Sequence, residues 1–141
     1  MKGKYMTKLI DTHQHLIYPD VAGYSWTDGI QPLANRSFTL AQYQDLSKDA
    51  DVSGTLFMET GVDDADYQAE IRYVADLAKE PENRILGIIA SCRPEDDTGY
   101  SDWLDECDDL GVVGYRRVLH VMHDDLLTTN EFRHNINALG V

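Results

Sequence analysis

The sequence predicts an α/β fold of four successive βα units on a parallel sheet, and three observations carry that reading. From Lys8 onward, short apolar runs rich in β-branched residues alternate with longer segments of helical periodicity. One run, residues 84–91 (RILGIIAS), is almost continuously apolar, as a strand covered on both faces requires. The helical segments stop at Pro81, Gly111 and Gly140, residues that end a helix before the next element.

The first strand is short, residues 8–12, and a polar and aromatic excursion (18–38) follows it. A helix then begins at Thr39, an N-cap, and runs toward Asp51. The excursion exceeds a usual βα loop, and such loops are either functional or locally structured. This one carries Tyr24, Trp26 and Arg36, side chains suited to covering a small ligand or simply to packing a surface loop. In the second unit a strand at 53–59 precedes a helix at 64–80, in which Tyr67, Ile71, Val74 and Ala78 share one face. The third pairs the strand at 84–91 with a helix at 101–110. The fourth has a strand at 112–118, and residues 130–139 read as a helix capped by Gly140. The chain ends at Gly140-Val141, repeating the Leu-Gly-Val signal that closes the third helix and opens the fourth strand. A fifth strand is expected there, so the chain reads as truncated before it.

With 141 residues, 43% apolar and 26% charged, the chain has the composition of a soluble domain with one core. Twelve Lys and Arg against 25 Asp and Glu leave a net charge of −13, a field that repels phosphate backbones and anionic membranes. Nucleic acid and membrane partners are therefore not expected. The acidic runs at 63–66, 95–97 and 105–109 read as solvated surface. Cys92 and Cys107 fall in no CxxC or zinc-ribbon spacing, so neither a disulfide scaffold nor a cysteine metal site is indicated, and a reducing cytoplasm fits best. The N-terminal apolar run is too short for a signal peptide, and no stretch approaches the length of a membrane span. A cytoplasmic protein is expected.

The sharpest feature is Asp11-Thr12-His13-Gln14-His15-Leu16 at the end of the first strand. Side chains two apart on an extended segment share a face, so both imidazoles converge on one ion. Neutral imidazole suits zinc, and a catalytic site leaves one position open for water. The alternative is a pair of satisfied structural histidines. Glu59 closes the second strand and is a candidate for the metal, a substrate hydroxyl or a structural ion pair. Arg93 after the third strand and Arg116 in the fourth are candidate substrate-binding forks for a carboxylate or hydroxyls. Arg117 should point to the opposite face and be structural. His120 and His123 are spaced i, i+3; His120 is a candidate substrate contact, His123 and His134 surface groups, and Cys92 a small buried thiol.

Ile10-Asp11-Thr12-His13-Gln14-His15-Leu16 resembles the opening motif of the amidohydrolase superfamily, in the branch of sugar-acid lactonases and related metal-dependent hydrolases. The resemblance covers almost the whole chain, through Gly54-Thr55-Leu56-Phe57-Met58-Glu59, Arg84-Ile85-Leu86-Gly87-Ile88-Ile89 and Gly114-Tyr115-Arg116. Only the first motif is highly specific; order and spacing give weight to the rest. It implies a TIM (β/α)₈ barrel of which residues 1–141 form the first four βα units, the N-terminal half of a single domain. It further implies that His13 and His15 bind a divalent metal, usually zinc, completed by a later histidine and a last-strand aspartate beyond Val141. Arg116 matches the family's strand-four arginine. Such a metal lowers the pKa of bound water toward ~7 and polarises the scissile carbonyl. Some members of the branch work without a tightly bound metal, their histidines polarising the carbonyl by hydrogen bonding. The implied activity is hydrolysis of a sugar-acid lactone, with the 141-residue chain inactive alone. A decarboxylase or hydratase of the same superfamily is the runner-up. A noncatalytic half-barrel that self-associates through its open sheet edges is the alternative from another class.

Overall fold

The computed structural model describes residues 8–139. Among them, β1 (Leu9–Gln14), β2 (Val52–Met58), β3 (Ile85–Ser91) and β4 (Val112–Arg116) form one sheet in that order, every pairing parallel. The crossovers are α1 (Leu40–Ser47), α2 (Tyr67–Ala78) and α3 (Tyr100–Asp109), and α4 (Asn130–Ala138) follows β4. Parallel neighbours need such crossovers, since a hairpin turn cannot join them. The expected order is therefore the observed one. Several boundaries shift: β1 runs on to Gln14, taking His13 into the ladder, β4 ends at Arg116 rather than Val118, α1 stops at Ser47 short of Asp51, and α2 spans Tyr67–Ala78 within the expected 64–80. The expected Gly140 cap lies outside the described residues.

Local chemistry explains the helix starts and stops. Thr39 Oγ1 accepts from the Gln42 backbone N–H at 3.3 Å, and Gln42 Oε1 accepts from the Thr39 N–H at 2.8 Å, a reciprocal capping box. Pro81 opens a single 3-10 turn after α2, and Gly111 takes a left-handed φ of 76° after α3.

The core lies between the sheet and the helices, built on Leu16, Phe57, Ile71, Val74, Ile88 and Trp103. Ile71 and Val74 are fully buried while Tyr67 and Ala78 pack beside them, the stripe expected from helical spacing. Trp103 is 2% exposed and donates its indole N–H to the Ser91 carbonyl at 3.0 Å. The expectation that the third strand is covered on both faces needs correction. Phe57 faces the helices, whereas the opposite face carries Ile10, Leu86 and Val113 at 55%, 58% and 64% exposure. Leu86 lies across Gly54, and Val113 across Gly87, so these apolar side chains cover the glycines of the neighbouring strands. Among the described residues only one side of the sheet has a helical layer.

The long excursion after β1 is packed. Ile17, Ala22, Tyr24 and Val62 form a second small core, and Ile17 bridges to Phe38. Tyr24 therefore belongs to that core rather than to a ligand cover. The acidic run at 63–66 is likewise not wholly solvated. Asp63 accepts from the backbone and hydroxyl of Ser25 at 3.1 and 2.8 Å, and Asp66 from Gly23 N–H at 2.8 Å. A Cβ at Gly23 would sit 2.2 Å from Asp63 Oδ2, so a side chain there would displace the carboxylate that meets Ser25. No helix among the described residues is long and apolar enough to cross a membrane.

Candidate active site

Because the strands are parallel, their carboxyl ends lie at one end of the sheet, where folds of this kind place their sites. Gln14 pairs with Phe57 on the helix-facing side and is 1% exposed, its Oε1 accepting from Thr55 Oγ1 at 3.1 Å. His13 and His15, one residue to either side, turn to the other face. Their ring centroids lie 4.8 Å apart at an interplanar angle of 72°. A bulge separates Asp11, paired with Thr55, from Gln14, paired with Phe57. Asp11 anchors this bulge: Oδ1 accepts from the His13 backbone N–H at 2.9 Å, and Oδ2 accepts from the Tyr43 hydroxyl of α1 at 2.7 Å. Burial, and then the bond to Asp11, push the Tyr43 hydroxyl up to about 12, so it stays a donor.

His15 Nδ1 lies 3.0 Å from the Met58 carbonyl oxygen. A carbonyl only accepts, so Nδ1 carries the hydrogen and the neutral ring presents Nε2 as a free lone pair. Burial lowers the His15 pKa below the usual histidine value against the opposing Met58 carbonyl; His13 and Arg116 deepen the shift and Glu59 reduces it. The ring is thus neutral at neutral pH.

Glu59, one residue past β2, is 1% exposed. Its Oε2 accepts from Gly61 N–H at 2.8 Å, and Oε1 forms an ion pair with Arg116 Nη1 at 2.9 Å. Arg116 Nη1 also donates to the Glu59 carbonyl at 3.3 Å, while its side chain remains 36% exposed. Trp26 sits in a 3-10 turn (Ser25–Thr27), 46% exposed, and donates its indole N–H to the Thr60 carbonyl at 3.0 Å. The structure thus brings His13, His15, Glu59, Arg116 and Trp26 to the ends of β1, β2 and β4.

Arg93 is engaged elsewhere. Its guanidinium meets Asp64 at 2.8 Å, Ser91 Oγ at 2.6 Å and the Cys92 carbonyl at 3.0 Å, and stacks 4.6 Å above the Tyr67 ring. The fork expected to meet a substrate is filled by the protein. Arg117 pairs with Glu95 and lies 3.9 Å from Asp64, the structural role expected of it. His120 and His123 are exposed in the segment past β4, and His134 is exposed on α4. Cys92 is 1% exposed, and burial pushes its thiol up to about 11, as a small inert core group.

A family model for amidohydrolases matches residues 10–140. The chain belongs to the amidohydrolase family. No curated protein matches its sequence. Among solved structures, this amidohydrolase chain is similar to an amidohydrolase from Burkholderia multivorans with bound HEPES, at 19% identity and a TM-score of 0.75, over 94% of this chain and 45% of that one. Another crystal form of that protein, with bound zinc, gives a TM-score of 0.74 at the same identity and coverage. A probable 2-pyrone-4,6-dicarboxylic acid hydrolase from Acinetobacter baumannii, with citric acid bound, is 15% identical with a TM-score of 0.64, over 94% and 47% of the two chains. These likenesses show the fold: the amidohydrolase chain has the architecture of the first four βα units of a (β/α)₈ barrel. It spans less than half the length of these solved chains.

Among the described residues of this amidohydrolase, no group of three or more His, Cys, Asp and Glu is placed to hold a metal ion. His13 and His15 nonetheless offer two nitrogen donors, which fits half of a tetrahedral zinc set. Sequence reading assigned no part to Tyr43, Thr60 or Glu70. For Glu70 a signal existed: it falls on the Tyr67–Ile71–Val74 stripe of α2, where a carboxylate is out of place. Glu70 is 3% exposed, with its carboxylate oxygens 3.2 and 3.4 Å from the Thr60 backbone N. Burial pushes its pKa up from 4.5 to about 8, with Glu59 adding to the rise and the Thr60 bonds and Arg93 opposing it.

A raised carboxyl pKa means that the folded chain holds a proton the unfolded chain releases. The resulting penalty is absent below pH 4.5, grows across the window and is complete above about pH 8. At about 1.4 kcal/mol per unit it reaches roughly 5 kcal/mol. Glu70→Gln is therefore expected to stabilise the chain more at pH 8.5 than at pH 5 in urea unfolding. Equal effects at the two pH values would refute this titration.

Proposed function

We propose that His13 and His15 supply two ligands of a catalytic divalent metal, zinc foremost, in a hydrolase that opens the lactone of a sugar acid. One observation carries the reading: two imidazoles 4.8 Å apart on one face, with the Met58 carbonyl leaving Nε2 of His15 free to bind. The zinc in the Burkholderia amidohydrolase supports the choice of metal, and the pyrone hydrolase with its citric acid supports a cyclic ester of an acid. When bound, the metal polarises the carbonyl and acidifies its water. The chain's own residues do the rest. Asp11 holds the His13 backbone, and the Met58 carbonyl holds the His15 ring. Arg116, anchored on Glu59, turns its exposed N–H groups toward a carboxylate or hydroxyls, and the exposed face of Trp26 covers the sugar ring. Two ligands do not make a catalytic site, so the 141-residue chain is inactive alone. A cytoplasmic location accords with two free buried thiols, Cys92 and Cys107.

The test uses the complete barrel enzyme that carries this N-terminal half. Stoichiometric zinc and proton release from sugar-acid lactones in a pH-stat are expected. Loss of carbon dioxide or addition of water to an unsaturated acid, without lactone opening, would move the assignment to a decarboxylase or hydratase.

A noncatalytic half-barrel module is favoured by one feature: among the described residues β1 and β4 both end the sheet, beside the exposed Ile10, Leu86 and Val113. Under either reading, the 141-residue chain is expected to sediment as a dimer or larger species. A stable monomer at tens of micromolar in analytical ultracentrifugation would count against association through these surfaces.

A further inference from the structure

Three separate segments converge on one residue beside the proposed site. Thr60 is 6% exposed and all of its polar groups are engaged. Its hydroxyl donates to the Leu16 carbonyl, one residue past His15, at 3.0 Å. Its carbonyl accepts the indole N–H of Trp26 at 3.0 Å. Its backbone N–H points at both carboxylate oxygens of Glu70, at 3.2 and 3.4 Å. On either side stand Glu59 and Gly61, and the Gly61 N–H returns to Glu59 Oε2 at 2.8 Å. Gly61 has a φ of 67°, so the turn is tight and its third residue must be left-handed.

Among the described residues no cation forms a salt bridge with Glu70, although it is only 3% exposed. An unpaired buried carboxyl is costly, and its retention needs a compensating task. Among the described residues its carboxyl bonds to Thr60, whose backbone N–H without it would be a buried donor with no acceptor.

We infer that Glu70 is a positioning residue for the mouth of the site: by holding the Thr60 N–H from α2, it sets the turn that aims Glu59 at Arg116 and fixes Trp26 over the strand ends. This inference rests on the proposed site for its functional meaning, but its test uses neither turnover nor metal.

The chain has two tryptophans, so its ¹H–¹⁵N spectrum carries two indole N–H signals, each from a group bonded to a carbonyl at 3.0 Å. Trp26 reports on Thr60, and Trp103, bonded to Ser91, serves as the internal control. In Glu70→Leu the Trp26 indole signal is expected to shift and its solvent exchange to quicken roughly tenfold, the factor one hydrogen bond is worth, with Trp103 unchanged. Glu70→Gln retains an acceptor oxygen and should restore the Trp26 signal. If Glu70→Leu does not fold, Glu70→Asp, which withdraws the carboxylate by one methylene, is read in the same way. A merely stabilising residue would leave both signals in place or move both together, and either result in a folded variant overturns the inference. An unmoved Trp26 would leave the metal reading standing, and a complete enzyme without zinc would leave the indole result intact.

Discussion

Replacing His13 and His15 together with alanine is expected to lower lactone turnover by the complete enzyme at least about 10³-fold, with loss of bound metal. The size follows from what is removed: a Lewis acid contributes several kcal/mol of transition-state stabilisation, and among the described residues no group of three or more His, Cys, Asp and Glu stands by to bind the ion instead. Each single replacement should cost nearly as much as the pair, because ligands of one ion act as a unit. The fold should survive. His13 is exposed and His15 half-buried, and neither belongs to the apolar core, so an unchanged circular dichroism spectrum is expected beside the lost activity. Retained turnover in the double variant would remove the central assignment. Lost turnover in an enzyme that holds no metal and ignores chelators would instead assign the histidines to hydrogen-bond polarisation of the carbonyl.

Arg116→Met should destabilise the chain by about 3 kcal/mol in urea unfolding, an effect larger than a surface ion pair can produce. The asymmetry of the pair explains why. The Glu59 side chain is 2% exposed while that of Arg116 is 36% exposed, so removing the arginine strands a carboxylate that water does not reach. The Gly61 N–H still meets Oε2, but Oε1 loses its counter-ion. The double variant Glu59→Gln/Arg116→Met should recover most of the loss, since no buried charge then remains. A cost under about 0.5 kcal/mol for Arg116→Met, or no recovery in the double variant, would show that the two groups are not coupled in solution. The same pair leaves the Arg116 side chain held by Glu59 yet 36% exposed, the feature on which its proposed part in binding a substrate carboxylate rests.

The order of elements was legible from sequence because the signals that set it act over a few residues. The apolar run of β3, the Thr39 cap with Gln42 three residues on, and the stops at Pro81 and Gly111 each need no distant partner. The histidine pair was legible for the same reason, since residues two apart on an extended segment share a side by local geometry, and the two rings lie 4.8 Å apart despite the bulge beside them. Charged partnerships were not. Arg93 closes on Asp64, 29 residues away; Tyr43 reaches Asp11 across 32; Glu70 finds Thr60 across 10; and Arg116 meets the Glu59 backbone across 57. Such pairs form only when the crossovers have packed, and long flexible side chains choose among several neighbours by the geometry that packing leaves them. The sequence by itself therefore determined the βα order and the two imidazoles on one face. Tertiary structure alone decided that Arg93 is occupied, that Arg116 is anchored, and that a buried glutamate meets the Thr60 N–H, because those outcomes depend on contacts that periodicity along the chain does not encode.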